Sequence, residues 1–146
     1  MKNYYENKKL ENGQIVMNYL EEFERTGSKL YLQSVLTNLI YEEFNDEIFD
    51  TVYFFDNRPL KNVVIKKAPK SWLKNALLTE QDTDYVGAML NRIQEEKLKL
   101  DANELIHARH WEVRLYAAQF ASTEELLAQL PWEENQAVIL EILRRL

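Results

Sequence analysis

The sequence contains no cysteine and is poor in glycine and proline, with three residues of each in 146. The missing cysteine excludes disulfides, thiolate metal sites and a cysteine nucleophile. The scarcity of turn-forming residues argues against a sandwich or barrel, which needs many tight turns. Apolar residues make up 46% of the chain, enough for a core. Because Leu, Glu, Lys, Ala, Asn and Ile are abundant, the composition predicts an all-α protein of single-domain size.

The chain also lacks any run of about 18 apolar residues, so the sequence predicts no membrane-spanning helix. Its first residues, MKNYYENKKLENGQ, do not contain the apolar core of a signal peptide. We therefore expect a cytoplasmic protein with no membrane partner.

Catalytic signatures are missing as well. The sequence contains no G-x-S-x-G, phosphate-binding loop, H-E-x-x-H or dinucleotide fingerprint, and its glycines are isolated. We therefore expect that the protein is not an enzyme and that it uses no cofactor.

The two histidines, His107 and His110, form an E-x-x-H-x-x-H pattern with Glu104. On a helix, Glu104 and His107 would be neighbours, and bundles that bind metals take one such pair from each of two helices. This chain offers a single pair, and the helix is expected to break near His110. The pattern favours histidines at the surface or at helix ends, and we predict no metal site.

The N-terminal part contains two apolar stripes with helical spacing. Gly27 is expected to end the first helix and Ser28 to cap the second, which predicts an antiparallel helical hairpin. The stripes consist of Ile15, Val16, Tyr19, Leu20 and Phe23, and of Leu32, Val35, Leu36, Leu39, Ile40 and Phe44.

Residues 45–67 admit two interpretations. The spacing of Ile48, Val52 and Phe55 favours a helix that begins at Asn45 or Asp46 and ends near Phe55. An irregular connection through Pro59 and Pro69 would follow it. Alternatively, TVYFF and NVVIKK could form a β-hairpin within 51–67, because both are rich in β-branched or aromatic residues. Two further helices are predicted beyond this region, a short one at 70–78 and a longer one that begins after a cap at Asp82 or Thr83.

The C-terminal part repeats itself after 21 residues. DANELIHARHWEVRLYAAQ lies over STEELLAQLPWEENQAVIL, which pairs Leu105 with Leu126 and Trp111 with Trp132. A short period of this kind indicates stacked helical units. We expect the two tryptophans to pack between repeats and Arg114 to pair with a neighbouring acid or a helix carbonyl.

HWEVRLYAAQFASTEELLAQL resembles the HEAT-like repeats, and especially the variant leucine-rich α-helical repeat. The matching positions are Val113-Arg114, Ala117-Ala118, Ser122-Thr123 and Leu126-Leu127. The resemblance extends over about residues 77–146 and implies a short α-solenoid that binds other macromolecules. We predict one all-α domain with N-terminal helices at 1–60, a basic connection and short helix at 61–79, and HEAT-like repeats at 80–146.

Charge is unevenly distributed along this chain of net charge −6. Residues 61–79 contain no acid, and their lysines surround Trp72, a combination that can bind single-stranded nucleic acid. Some HEAT-like proteins are DNA glycosylases, so the resemblance makes a nucleic-acid-binding protein the alternative function. The repeats here are acidic, which disfavours contact with phosphates. The lysines are Lys61, Lys66, Lys67, Lys70 and Lys74.

The segment YEEFNDEIFD concentrates five acids within nine residues and interleaves them with aromatic side chains. If the segment is helical, Glu43, Asp46, Glu47 and Asp50 share one face, at a cost of a few tenths of a kcal/mol per like-charged pair. Such a face would suit electrostatic docking of a basic partner.

The hypothesis from the sequence is therefore a non-catalytic protein–protein interaction domain. Its most concrete form is an immunity protein or antitoxin that neutralises a basic nuclease toxin. An adaptor or scaffold fragment whose acids only keep it soluble remains an alternative. The candidate partner-binding residues are Tyr41, Glu42, Glu43, Asp46, Glu47, Asp50 and Trp111.

Overall fold

The computed structural model describes residues 4–146, and within this range it contains ten α-helices, one 3-10 turn and no strand. The all-α prediction is therefore confirmed. The helices are α1 (Tyr4–Thr26), α2 (Lys29–Tyr41), α3 (Asp46–Tyr53), α4 (Arg58–Lys67), α5 (Lys70–Thr79), α6 (Thr83–Glu95), α7 (Ala102–Leu105), α8 (Trp111–Ala118), α9 (Thr123–Gln129) and α10 (Gln136–Arg145), and the 3-10 turn spans Leu130–Trp132.

The turn between α1 and α2 is formed by Gly27 and Ser28, as predicted. Gly27 has a φ of 68°, in the left-handed region that glycine adopts without strain, and its amide donates to the carbonyl of Phe23 at 2.7 Å. The Ser28 hydroxyl accepts from the amide of Leu30 at 3.3 Å and caps α2. The two helices pack against each other, which confirms the hairpin. The second helix ends at Tyr41, before the predicted Phe44.

The helix predicted to end near Phe55 ends at Tyr53, the β-hairpin alternative is wrong, and the irregular connection is limited to residues 54–57 because α4 follows it. The reason lies in Asn57, whose side chain accepts from the amide of Leu60 at 3.0 Å and caps α4. Pro59 follows in the first turn, where its missing amide removes no helical hydrogen bond. The β-branched run of NVVIKK thus lies on a helix that buries Val64 and Ile65.

The helices predicted after residue 69 are present. α5 begins at Lys70, and α6 begins directly after Asp82, whose carboxylate accepts from the amide of Asp84 at 2.9 Å. α6 buries Val86, Met89 and Ile93.

The chain divides into two compact units, one that extends to Trp72 and one that starts at Leu73. In the first unit, α1 packs against α2 and α3, and α4 packs against α2 and α3. In the second unit, α8 packs against α6, α7 and α10. The boundary lies inside the predicted basic segment, and a single domain stays a prediction.

The caps of the four C-terminal helices agree with the predicted offset of 21 residues at α7 and α9 and depart from it at α8 and α10. Asp101 caps α7 and Ser122 caps α9, which agrees with the predicted offset of 21 residues. His110 caps α8 and Asn135 caps α10, so four extra residues precede α10, in a stretch that includes the 3-10 turn. Because of this shift, the residues of α8 and α10 that correspond to each other are not those paired by the offset of 21.

The shift corrects the interpretation of the tryptophans. The position that corresponds to Val113 is Val138, and both side chains are fully buried. Trp132 instead lies in the 3-10 turn with 81% of its surface exposed, so it is not a packing residue between repeats. Trp111 is also partly exposed.

Candidate protein-docking surface

The acidic segment begins at the end of α2 and continues into α3. Tyr41 is the last residue of α2 and is 79% exposed. Glu42 has extended backbone angles, with φ −115° and ψ 162°, and α3 begins only at Asp46. The prediction that Glu43 shares a helix face with the later acids is therefore wrong.

Burial of two phenylalanines explains this interruption of the helix. Phe44 and Phe49 are both buried, and their rings pack edge to face with centroids 5.8 Å apart. The connection that carries Phe44 into the core is held by Asn12, a buried residue of α1 whose amide donates to the carbonyl of Glu43 at 3.0 Å.

Two of the predicted docking acids are bound within the first unit itself. The hydroxyl of Ser71 donates to Asp46 at 2.6 Å, and the indole of Trp72 donates to Asp50 at 2.5 Å. Both donors belong to the first turn of α5, so these carboxylates fasten α3 to the start of that helix. This structural role was not predicted.

The three remaining acids are Glu42, Glu43 and Glu47, and all are exposed. Together with the exposed ring of Tyr41 they form what we call the acidic cluster. A groove of about 610 Å³ lies beside it and is lined by the end of α2, the α2–α3 connection, α3 and single residues of α1, α4 and α5. The charged side chains that line the groove are those of Lys9, Glu42, Glu43, Asp46 and Lys67.

The seventh candidate residue, Trp111, belongs to the second unit. It starts α8, stacks on His110 with ring centroids 6.2 Å apart, and lines a shallow groove of about 260 Å³ with Leu90 and Leu115. Its role as an aromatic anchor stays a prediction.

A polar network that was not predicted as a whole joins α8, the end of α9 and the segment before α10. The guanidinium of Arg114 donates to both carboxylate oxygens of Glu133, at 2.7 and 3.0 Å, and to two carbonyls of the loop before α8. The amide of Gln129 donates to the same carboxylate at 3.2 Å. The predicted pairing of Arg114 with an acid is thus confirmed, and the carbonyls that it also contacts belong to a loop instead of a helix.

Glu133 is a buried anion, with its side chain only 1% exposed. Burial raises the pKa of this carboxyl. The hydrogen bonds from Arg114, from the backbone amide of Asn135 and from Gln129 outweigh that effect and hold the pKa below its ordinary value of 4.5. A carboxylate so fully occupied by donors stabilises the fold and has no oxygen to offer to a substrate.

The histidines have structural partners too. His107 lies beyond the end of α7, with Glu125 and Gln129 each 2.9 Å from one ring nitrogen. The carboxylate of Glu104 instead pairs with Lys74 at 3.0 Å. In residues 4–146, no group of three His, Cys, Asp or Glu side chains is arranged to hold a metal ion.

The basic segment does not present its tryptophan to a nucleic acid. Trp72 is buried, and its ring packs edge to face on Tyr53 at 5.0 Å. Lys61 donates to the carbonyl of Tyr53 at 2.6 Å and lies over the ring of the same residue. The basic-plus-aromatic pattern is therefore core and interhelical contact, which removes the main argument for base stacking.

Two further findings bear on function. None of the helices within residues 4–146 has the length and the apolar character needed to cross a membrane. A comparison of the chain with protein-family profiles, curated proteins and solved structures finds no match.

Proposed function

We propose that this chain is a non-catalytic protein-interaction domain, and that the acidic cluster is the surface on which it docks a basic protein. The observation that carries the proposal is the division of the acids. Asp46 and Asp50 accept hydrogen bonds from side chains of α5, whereas Glu42, Glu43 and Glu47 are exposed and make no such contact with α5. An amphipathic tyrosine followed along the chain by exposed carboxylates suits an arginine-rich or lysine-rich partner.

The most concrete partner is a nuclease toxin, which would make the chain a cytoplasmic immunity protein or antitoxin. A nuclease needs a basic cleft to attract the phosphates of its substrate. The carboxylates of the acidic cluster would compete with those phosphates for the cleft, because both are negatively charged. The long-range part of this attraction accelerates association and weakens as salt is added.

For the second unit we propose a HEAT-like stack of two repeats, α7–α8 and α9–α10. Support comes from both ends of the contact between α8 and α10. Arg114 near the start of α8 pairs with Glu133 just before α10, and Arg145 at the end of α10 donates to the carbonyl of Ala118 at 3.1 Å. The two helices therefore run in the same direction, as equivalent helices of a solenoid do.

The test of the docking proposal is a charge reversal with a matched control. The triple variant E42K/E43K/E47K removes the charge of the acidic cluster and leaves Asp46 and Asp50 in place. The control, E21K/E24K/E124K, reverses three other exposed acids and gives the same net charge. Each protein is measured by stopped flow against the basic protein that co-purifies with the wild type from its native cells.

We expect the cluster variant to associate at least tenfold more slowly than the control at low salt, and the difference to shrink at high salt. Circular dichroism should show both variants folded. Equal rates for the two variants would mean that the acids only keep the chain soluble, as in the adaptor alternative.

A nuclease assay separates the antitoxin from other interaction modules. The recovered partner should cleave nucleic acid, and one equivalent of wild-type chain should stop the cleavage. A partner without nuclease activity would overturn the antitoxin assignment. Short single-stranded DNA added to the chain alone is the control for the nucleic-acid alternative, and we expect no salt-sensitive binding to it.

A further inference from the structure

Helix α10 is apolar on two sides, and one of them faces solvent. Val138 and Ile142 are fully buried in the second unit. Leu140, Leu143 and Leu146 lie three residues apart and are 67%, 52% and 50% exposed. Neighbouring exposed leucines on a surface helix are one form that a contact site for another molecule takes.

On α8, the residues that correspond to this stripe are covered by another helix. With the offset between Val113 and Val138, the counterparts of Leu143 and Leu146 are Ala118 and Ala121, both fully buried. Arg145 of α10 donates to the carbonyls of these two alanines, so α10 covers this end of α8. The same side of α10 carries larger apolar residues and is exposed.

We propose that a second copy of the chain covers this stripe, through antiparallel pairing of the two α10 helices about a two-fold axis at Leu140. The spacing around Leu140 is self-complementary. Ala137, which is small and exposed, precedes it by three residues, and Leu143 follows by three. In the antiparallel pair, Leu143 of each copy packs on Ala137 of the other. A two-fold contact needs no second surface, because each copy supplies the same patch.

The charges at the ends of α10 favour the same arrangement. Glu134 lies just before the helix and is exposed, and Arg144 lies at its end and is exposed. Antiparallel pairing at Leu140 places Arg144 of each copy opposite residue 136 of the other, within side-chain reach of Glu134. Parallel pairing would instead bring like charges together. The two helix dipoles are also opposed in the antiparallel pair.

The size of the contact sets its strength. A helix of ten residues is about 15 Å long, so the pair buries less than the roughly 800 Å² per partner of a standard interface. We therefore expect a reversible dimer with a dissociation constant of about 1–100 µM.

The missing cysteine allows a direct test of the register. Leu140→Cys introduces the only thiol and places it on the proposed axis, where two copies can form a disulfide. Leu143→Cys lies on the same stripe, but its two copies are about six residues apart along the pair, roughly 9 Å, which is too far. Glu124→Cys, on exposed α9, measures background collision.

Under mild oxidation at about 50 µM, within the expected range of the dissociation constant, we expect L140C to form covalent dimers at least tenfold faster than L143C or E124C. Comparable rates for all three would overturn the axis at Leu140.

Sedimentation equilibrium tests the pairing without a cross-link. L140E should weaken the dimer at least tenfold. E134R and R144E should each weaken it, and the double variant should restore it to within threefold of the wild type. Because R144E also breaks the contact with Glu141 inside the same helix, only the rescue by E134R identifies the contact between copies.

A wild-type chain that stays monomeric up to about 1 mM, tenfold above the expected range, would overturn the proposal. Dimerisation that is indifferent to L140E would do the same. Neither result affects the acidic cluster, which belongs to the other unit.

Discussion

Arg114 and Glu133 form a bidentate ion pair that joins α8 to the start of α10. The Nε and Nη2 atoms donate to the two carboxylate oxygens, and Nη1 donates to the carbonyls of Ala108 and Arg109 at 3.0 and 2.7 Å. One side chain thus fixes the loop before its own helix and the segment before the next one. Within the Trp-Glu-Val-Arg stretch, the arginine makes the contacts between helices, because its planar guanidinium matches a carboxylate in a way that lysine cannot.

Removing this arginine should be costly for stability. We expect Arg114→Ala to lower the free energy of unfolding by about 3 kcal/mol, because it leaves the buried Glu133 without its counter-charge. Arg114→Lys should lose most of the same amount, since a single ammonium cannot replace the bidentate contact. Urea unfolding followed by circular dichroism measures both.

Arg144→Ala is the matched control for that experiment. It also removes an arginine from an ion pair, the one with Glu141, but this arginine is 67% exposed, whereas the side chain of Arg114 is 17% exposed. We expect a change within about 0.5 kcal/mol. If Arg114→Ala were no worse than this control, the pair between α8 and α10 would not be a stabilising contact.

Glu133 also makes stability depend on pH. Its pKa in the folded chain lies below the ordinary value of 4.5, so folding favours the ionised form. The contribution is complete above the pKa of the unfolded chain and is lost as the pH falls through the folded value. We expect the difference in unfolding free energy between the wild type and Glu133→Gln to be largest near neutral pH and to shrink below about pH 4.5.

Urea titrations of both proteins at pH 7, 5, 4 and 3 measure that difference. Glu141 also has a lowered pKa, through Arg144, but it is present in both proteins and cancels in the comparison. A difference that stays constant from pH 7 to 3 would contradict the assignment of the buried anion.

Local signals were enough to predict most helix boundaries. Ser28 and Asp82 cap helices as predicted, because a side-chain oxygen before an apolar stripe satisfies the first free amides wherever the helix packs. α4 was missed because its β-branched run is typical of a strand, and the cap at Asn57 outweighed that preference.

Contacts between distant residues were harder to predict. The sequence showed that Asp46 and Asp50 are acidic, but their occupation by Ser71 and Trp72 depends on how α3 meets α5. The exposure of Trp132 depends on four extra residues, which alignment at a fixed offset of 21 could not reveal. The sequence pattern identified the charged segment, and packing determined which of its carboxylates accept hydrogen bonds from α5.

Alanine substitutions at Gly87 and Gly27 test the local backbone geometry. Gly87→Ala should stabilise the chain by about 0.5–1 kcal/mol, because the position is helical and an added Cβ meets nothing within 4 Å. Gly27→Ala should destabilise it by about 1 kcal/mol, because its φ of 68° is strained for alanine. Thermal unfolding of the two variants should therefore move in opposite directions.

Gly13→Ala is the informative third member of that set. It lies inside α1, where alanine is normally favoured, but its Cβ would meet the side chain of Ile48 at 3.0 Å. We expect the close approach of α1 and α3 to cancel the gain or reverse it, so that G13A is at least about 0.5 kcal/mol less stable than G87A. A gain equal to that of G87A would show that Ile48 moves aside freely.

Substitutions of Asp50 and Glu47 separate structural acids from docking acids within one segment. Asp50→Ala removes the acceptor of the buried Trp72 indole, so it should cost about 1–2 kcal/mol of stability and shift the tryptophan emission. Asp50→Asn keeps an acceptor oxygen and should lose less. Glu47→Lys, one helical turn away in sequence and exposed, should leave stability and emission unchanged while it slows association with the basic partner. If Asp50→Asn slowed association as much as Glu47→Lys with Trp72 undisturbed, both acids would belong to the docking surface, and the division of the segment into bound and exposed carboxylates would be wrong.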